Sequence, residues 1–195
     1  MYIQVILTFN QVAAIINALA IVVLLVYWII SARSIKQKQE KAGGIGSYGH
    51  LILIACAAVI MNIKVYPFTL QLLPLSKYAG ILSIIITITG LIIAIAARRY
   101  LATNWSSSVT FKKDHELIKA GPYKYVRHPI YSGVLILLIG TVFAVGSVGT
   151  LAGFIIILIT FCLKLSQEEK ILTKHFGEEY LAYKKRTKAL IPFFW

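Results

Sequence analysis

Acidic residues are scarce in this 195-residue chain, with 7 Asp and Glu against 20 Lys and Arg. Charged residues of either sign make up 14% of it, where a soluble domain carries about a quarter. With 58% hydrophobic residues, that shortage excludes an ordinary water-soluble fold and points to a polytopic membrane protein. Cysteine is nearly absent. Cys56 and Cys162 lie inside apolar runs, with no CxxC and no nearby ligand set, so they read as small packing residues. Neither a disulfide framework nor a zinc site is indicated. A Gly-rich phosphate loop, GxSxG, HExxH and an Asp-rich metal motif are also missing. The fragments GGIG and GSVG lack the strand–turn–helix setting of a dinucleotide fold. Any enzyme built on this chain is expected to work without metal and without a Rossmann domain.

What the chain does have is apolar runs: Val5–Ile30, Leu51–Tyr66, Tyr78–Ala97, Ile130–Val145 and Thr150–Leu163. The first and third suffice for about 30 Å of hydrocarbon at about 1.5 Å per residue. The first is too long for a signal-peptide core and has no basic flank before it, so it reads as a transmembrane helix rather than a cleavable leader. The last two are short and joined by the Gly-rich turn VGSVG, which predicts a helical hairpin. The expected fold is all-α, with five transmembrane helices, a helix 4–5 hairpin and a cytoplasmic C-terminal amphipathic helix. Residues 1–97 form its N-terminal helices 1–3, and 98–195 carry the polar machinery.

Basic residues give the orientation. Arg33, Lys36, Lys38 and Lys41 follow the first run, and seven more fall between Arg98 and Arg127. A further seven lie between Lys164 and Lys188, leaving Lys64 and Lys77 for the other side. This places the N-terminus outside and the C-terminus in the cytoplasm. The net charge of +13 suits the anionic bilayer surface better than nucleic acid, and no nucleic-acid partner is expected. All seven acidic residues share the cytoplasmic side. Helices 1–3 show almost no candidate chemistry; Asn10, Gln11, Asn17 and Asn62 read as interhelical hydrogen-bonding groups. In the tail, Gly177 breaks a helical pattern, Glu178–Arg186 resumes as a basic amphipathic helix along the membrane surface, and Pro192 ends it before Phe193, Phe194 and Trp195.

The stretch GPYKYVRHPIYSG, residues 121–133, is too dense for a connector. His128 as N-cap, Pro129 at the first helical position and a snorkelling Arg127 account for part of it. The Gly-Pro turn and the tyrosines remain unexplained. Glu168 and Glu169 are the second anomaly, because carboxylates at the end of a membrane helix are costly unless solvated or partnered. A hairpin would bring His128 and Tyr131 near Glu168. A structural salt bridge and a functional site are both open at this point.

Together, GPYxYVRHPxYxG and the downstream EExxLxxxFGxxYxxYxxRT…IPF resemble the isoprenylcysteine carboxyl methyltransferase family, within a wider group of membrane phospholipid methyltransferases. The resemblance covers residues 100–195 and is closest to small five-span prokaryotic or archaeal members, so it implies a prokaryotic cytoplasmic membrane rather than the endoplasmic reticulum. It implies S-adenosyl-L-methionine as methyl donor and S-adenosyl-L-homocysteine as product. It further implies a cofactor strip of His115, Glu116, Leu117 and Ile118, followed by Tyr123, His128, Pro129, Ile130, Tyr131 and Glu168. Arg127 and Glu168 would be catalytic, and Arg127 and Lys164 would face a lipophilic, prenylated or lipid-like acid. Lys164 stands where the family has Arg, and Ser108 where it has Gln; Lys cannot grip a carboxylate as Arg does.

Transfer of a methyl group from a sulfonium is an in-line displacement that needs positioning above all. A carboxylate acceptor needs no general base, whereas an amine would require Glu168 or His128 to take its proton. Lys164 and Arg127 would attract an acid and repel a protonated amine, which favours O-methylation. The rivals are phospholipid amine N-methylation, a sterol-type reductase using NADPH, and a non-enzymatic protein whose basic face binds anionic lipid. Gly133 and Gly140 offer either close helix packing or room for a lipid tail.

Overall fold

The computed structural model describes residues 2–31, 38–41, 47–101, 110–112 and 117–192. The described elements are α1 (Tyr2–Ser31), β1 (Lys38–Lys41), α2 (Ser47–Asn62), α3 (Lys77–Leu101), β2 (Thr110–Lys112), α4 (Pro129–Val145), α5 (Val148–Phe176) and α6 (Glu178–Arg186), with a 3-10 turn at Gly121–Lys124. The bundle is all-α, as expected, and two short loop strands accompany it. β1 and β2 pair antiparallel, joining the segments that follow α1 and α3.

Among the described residues, Phe9–Ser31 of α1, α3 and α5 are long and apolar enough to cross a membrane. Gly49–Asn62 and Pro129–Val145 are apolar but shorter. Their outward faces are rich in exposed Ile, Leu and Val, as lipid contact requires. The largest helix–helix interface is α3 on α4, and α5 packs mainly on α2. The predicted 4–5 hairpin is therefore correct in connection, but its two helices take different principal partners.

The α3–α4 seam follows from small residues. Gly80, Ser83, Thr87, Gly90, Ala94 and Ala97 form the buried stripe of α3. Gly133 meets it so closely that an added Cβ would fall 2.6 Å from Ala94 N and 2.8 Å from Gly90 O. Gly140 likewise lies against the Ser83 carbonyl. These glycines serve close backbone packing rather than a lipid channel, because helices can approach this far only where no side chain intervenes. Asn17 joins α1 to the same seam, donating to Ser83 Oγ at 3.0 Å and accepting from Thr87 Oγ1. Asn10 donates to the Ser76 carbonyl at 3.3 Å. Asn62 bonds back to Ala58 of its own helix, and Gln11 is exposed.

At the α4–α5 turn, Gly146 takes the left-handed conformation (φ 66°) that ends α4, and Ser147 and Thr150 form a reciprocal capping box that starts α5. Leu72 N–H and Gln71 Nε2 bond across to Gly146 O and Val145 O, so the 63–76 connection closes over this turn. At the other end α5 does not stop at Leu163. It continues unbroken to Phe176, because the polar turns that follow contain good helix formers and no Gly or Pro before Gly177. The first part of the expected tail is thus the same helix, and Glu168 and Glu169 ride on it.

Candidate active site

Gly121 has φ +58° and faces the Tyr100 ring where a Cβ would stand, so glycine is required to open this turn. The 3-10 turn that follows buries Tyr123, whose carbonyl accepts a 2.6 Å bond from Tyr183 Oη of α6. His128 is the N-cap of α4 and Pro129 its first residue, as the sequence predicts. The C-terminal segment then runs alongside. Arg127 N–H and His128 N–H donate to Lys188 O (2.8 Å) and Ala189 O (3.0 Å), and Ser132 Oγ donates to Leu190 O at 2.6 Å. The tail passes directly over the start of α4.

Two adjacent carboxylates meet this junction differently. Glu169 is saturated. Its Oε1 receives Arg127 Nε and Nη2, each at 2.7 Å, and its Oε2 lies 2.6 Å from Lys184 Nζ of α6. His128 Nε2 is 3.4 Å from the same Oε1. Arg127 also donates through Nη1 to the Lys184 and Thr187 carbonyls, so its guanidinium is fully occupied by protein. Glu168 is different. Tyr131 Oη donates to its Oε1 at 2.6 Å, and His128 Nδ1 stands 3.6 Å from its Oε2. Among the described residues no Lys or Arg forms an ion pair with it, and its side chain is 21% exposed.

Aromatic rings wall this carboxylate. Tyr131 packs on Phe161 at 4.8 Å between centroids, and Lys164 Nζ lies 5.6 Å from the Tyr131 ring centre. Burial holds the hydroxyls of Tyr123 and Tyr180 above the usual phenol range, and pushes that of Tyr183 up to about 12. Tyr123 and Tyr183 enter the junction as neutral hydrogen-bonding and packing groups. An open cleft of about 410 Å³, lined by Ser166, Glu169, Lys170, Thr173 and Lys184, lies between α5 and α6. It shares Glu169 and Lys184 with the charged junction.

The structure therefore brings together Tyr123, Arg127, His128, Pro129, Ile130, Tyr131, Lys164 and Glu168 at one end of the bundle. Leu117 and Ile118 are half-buried at the start of the described loop. His115, Glu116 and Ser108 lie outside the described residues, as do Phe193, Phe194 and Trp195. The α6 expectation is corrected in one respect: Tyr180 and Tyr183 are buried against the protein, so the helix's aromatic face packs inward. Sequence reasoning passed over Glu169 and Lys184 as a clamp. The signal available was only that EE and KKR stand at opposite ends of a helical break.

An S-adenosyl donor carries a sulfonium, an ammonium and a flat adenine. The residues present fit such a group. Glu168 offers a half-buried carboxylate with no Lys or Arg ion pair among the described residues, and the adjacent tyrosine and phenylalanine rings suit a cationic and aromatic ligand.

Residues 81–174 match the family model described as isoprenylcysteine carboxyl methyltransferase (ICMT). The chain is 38% identical to the protein-S-isoprenylcysteine O-methyltransferase of Schizosaccharomyces pombe over 81 residues, 41% of this chain and 34% of that protein. It is 31% identical to the Saccharomyces cerevisiae protein of the same name over 135 residues, 68% and 55% of the two chains. The chain thus spans between about a third and about a half of the length of these relatives. A solved structure of the eukaryotic intramembrane Ras methyltransferase ICMT superposes with a TM-score of 0.57 at 24% identity, covering 76% of this chain and 53% of that one. That likeness speaks to the fold. The resemblance carried by the two motifs is borne out by the family match.

Proposed function

We propose that this chain, whose residues 81–174 match the isoprenylcysteine carboxyl methyltransferase family model, is an integral membrane methyltransferase using S-adenosylmethionine. Its acceptor is the carboxylate of an isoprenylcysteine-like or other lipid-linked acid. The observation that carries this reading is Glu168: a carboxylate held by Tyr131, with His128 at 3.6 Å but no Lys or Arg ion pair among the described residues, and set beside aromatic rings. In this reading α2 and α4 complete a five-span bundle, with the N-terminus outside and the C-terminus in the cytoplasm. Residues 98–195 are the catalytic region. The membrane is a prokaryotic cytoplasmic one, on the strength of the five-span count.

Tyr123, His128, Pro129, Ile130, Tyr131 and Glu168, with the strip from His115 to Ile118, hold the donor. When bound, S-adenosylmethionine supplies a methyl group made electrophilic by its sulfonium. Glu168 meets positive charge, and Tyr131 fixes which way that carboxylate faces. Lys164 is the substrate-side cation and draws an anionic head toward the cofactor. Arg127 is a positioning residue: bound to Glu169 and to the α6 backbone, it holds His128 and the start of α4 in register. An acid acceptor arrives deprotonated and asks no base of the site. An amine would face Lys164 while still protonated, and this makes phospholipid N-methylation the second reading.

Labelled methyl transfer in liposomes tests the acceptor, with a prenylcysteine analogue, phosphatidylethanolamine and total host lipid offered in parallel. Base-labile label on the analogue is expected. Stable label on the phospholipid would favour the amine reading. Tight NADPH binding, with none of S-adenosylhomocysteine, would overturn both.

A further inference from the structure

His50 is 6% exposed, and among the described residues neither of its ring nitrogens has a hydrogen-bond partner. A buried polar side chain left unsatisfied in this way costs stability, and native folds keep few of them without a use. It sits on α2, a helix whose sequence SYGHLILIACAAVIMN is otherwise almost entirely apolar through its length. The mechanism proposed above gives it no task.

Register locates it. His50, Ile54, Ala57 and Met61 are spaced as one face of a helix, and Ile54, Ala57 and Met61 join the bundle core. Gly149 of α5 meets the Ile60 carbonyl, and Gly153 meets the Ala57 carbonyl and the Met61 side chain, so the two helices run antiparallel. Two turns further along each helix, the residue opposite His50 is Thr160. Thr160 is 1% exposed and its hydroxyl is spent on the Ile156 carbonyl of its own helix. One turn beyond Thr160 on the same stripe is Lys164, whose ammonium already overlies Tyr131. Lys164 therefore stands where the α2-facing stripe of α5 meets the α4-facing one that carries Phe161 and Glu168.

We infer that His50 is a substrate-binding residue, forming the α2 wall of the acceptor site and hydrogen-bonding the carboxylate that Lys164 attracts. The inference rests on the methyltransferase reading and extends it to a helix outside the matched residues 81–174. A carboxylate has two oxygens, and a lysine is a point charge that fixes only one direction. A second donor on the facing helix orients the head so that one oxygen is presented for attack.

The test compares binding of two probes to the detergent-solubilised chain by calorimetry: a prenylcysteine analogue with a free carboxylate, and its methyl ester. His50→Leu keeps comparable volume in an apolar helix and removes both ring nitrogens. It is expected to weaken the free acid about tenfold while changing the ester and S-adenosylhomocysteine less than about twofold. His50→Gln is expected to recover most of the lost acid binding. Equal weakening of acid and ester, or no weakening of either, overturns the inference, as does a wild-type chain that binds no free acid. Failure of the methyltransferase reading shows separately, as absent S-adenosylhomocysteine binding to the wild-type chain, while the acid–ester comparison is still read.

Discussion

At Gly133, α4 meets α3 backbone to backbone; a few residues upstream, Arg127 ties the same chain to α5 and α6 by charge. The two joints solve one problem in two solvents. Within the apolar layer there is no hydrophobic force between helices, so close packing of small residues supplies the contact. At the polar end, water competes for every charge. There the joint is built from converging partners: Arg127, Lys184 and His128 on one Glu169, all but Lys184 largely buried. The first joint tolerates no added atom, and the second no lost charge.

The largest effect is expected from Gly133→Leu. Its side chain would enter the Ala94 and Gly90 backbone, which rigid helices cannot vacate, and a loss above about 3 kcal/mol should follow. Size-exclusion profiles in detergent should show aggregate in place of the wild-type peak; a normal peak and melting temperature would mean that the seam can open. Glu169→Ala comes next. It leaves Arg127 buried and unpaired, at a cost of about 3 kcal/mol read as a lowered melting temperature. Removing Arg127 as well should restore part of that loss, which a double-mutant cycle would report.

Glu168→Ala sharpens the contrast, since it breaks no ion pair with Lys or Arg. Stability should fall by only about 1 kcal/mol, for the Tyr131 hydroxyl left without its acceptor, while S-adenosylhomocysteine affinity falls at least about tenfold. Parallel losses in the two carboxylate variants would dissolve the distinction between clamp and site. The smallest effect is alkaline. The Tyr183 hydroxyl is raised to about 12 by burial from an ordinary value near 10. The unfolded chain therefore loses this proton first. The group's contribution is whole below pH 10 and is lost as pH rises toward 12. Melting curves over that range should decline less steeply in Tyr183→Phe, which should start lower by about 1 kcal/mol for the missing bond to Tyr123.

Much of this was legible in the chain. His128 and Pro129 start α4 because a proline at the first helical position loses no bond. Gly146 and Gly177 mark helix ends where the sequence shows breaks. The meeting of Tyr131 with Glu168 followed from a short hairpin. Other features were not legible. The apolar run alone did not give the end of α5, because hydropathy reports where lipid stops, whereas helicity continues until a residue such as Gly177 interrupts it. His50 drew no notice, because a lone histidine on an apolar helix reads as packing until its partners are counted.

By itself the sequence determined the solvent, the apolar helices and the two motifs, because hydropathy, breakers and residue type are local properties. Tertiary structure alone decided that Glu169 is clamped by Arg127 and Lys184 while Glu168 meets no Lys or Arg among the described residues. The two are identical neighbours in sequence. On a helix they diverge by about 100°, and which one meets Arg127 depends on how α6 folds back across the start of α4.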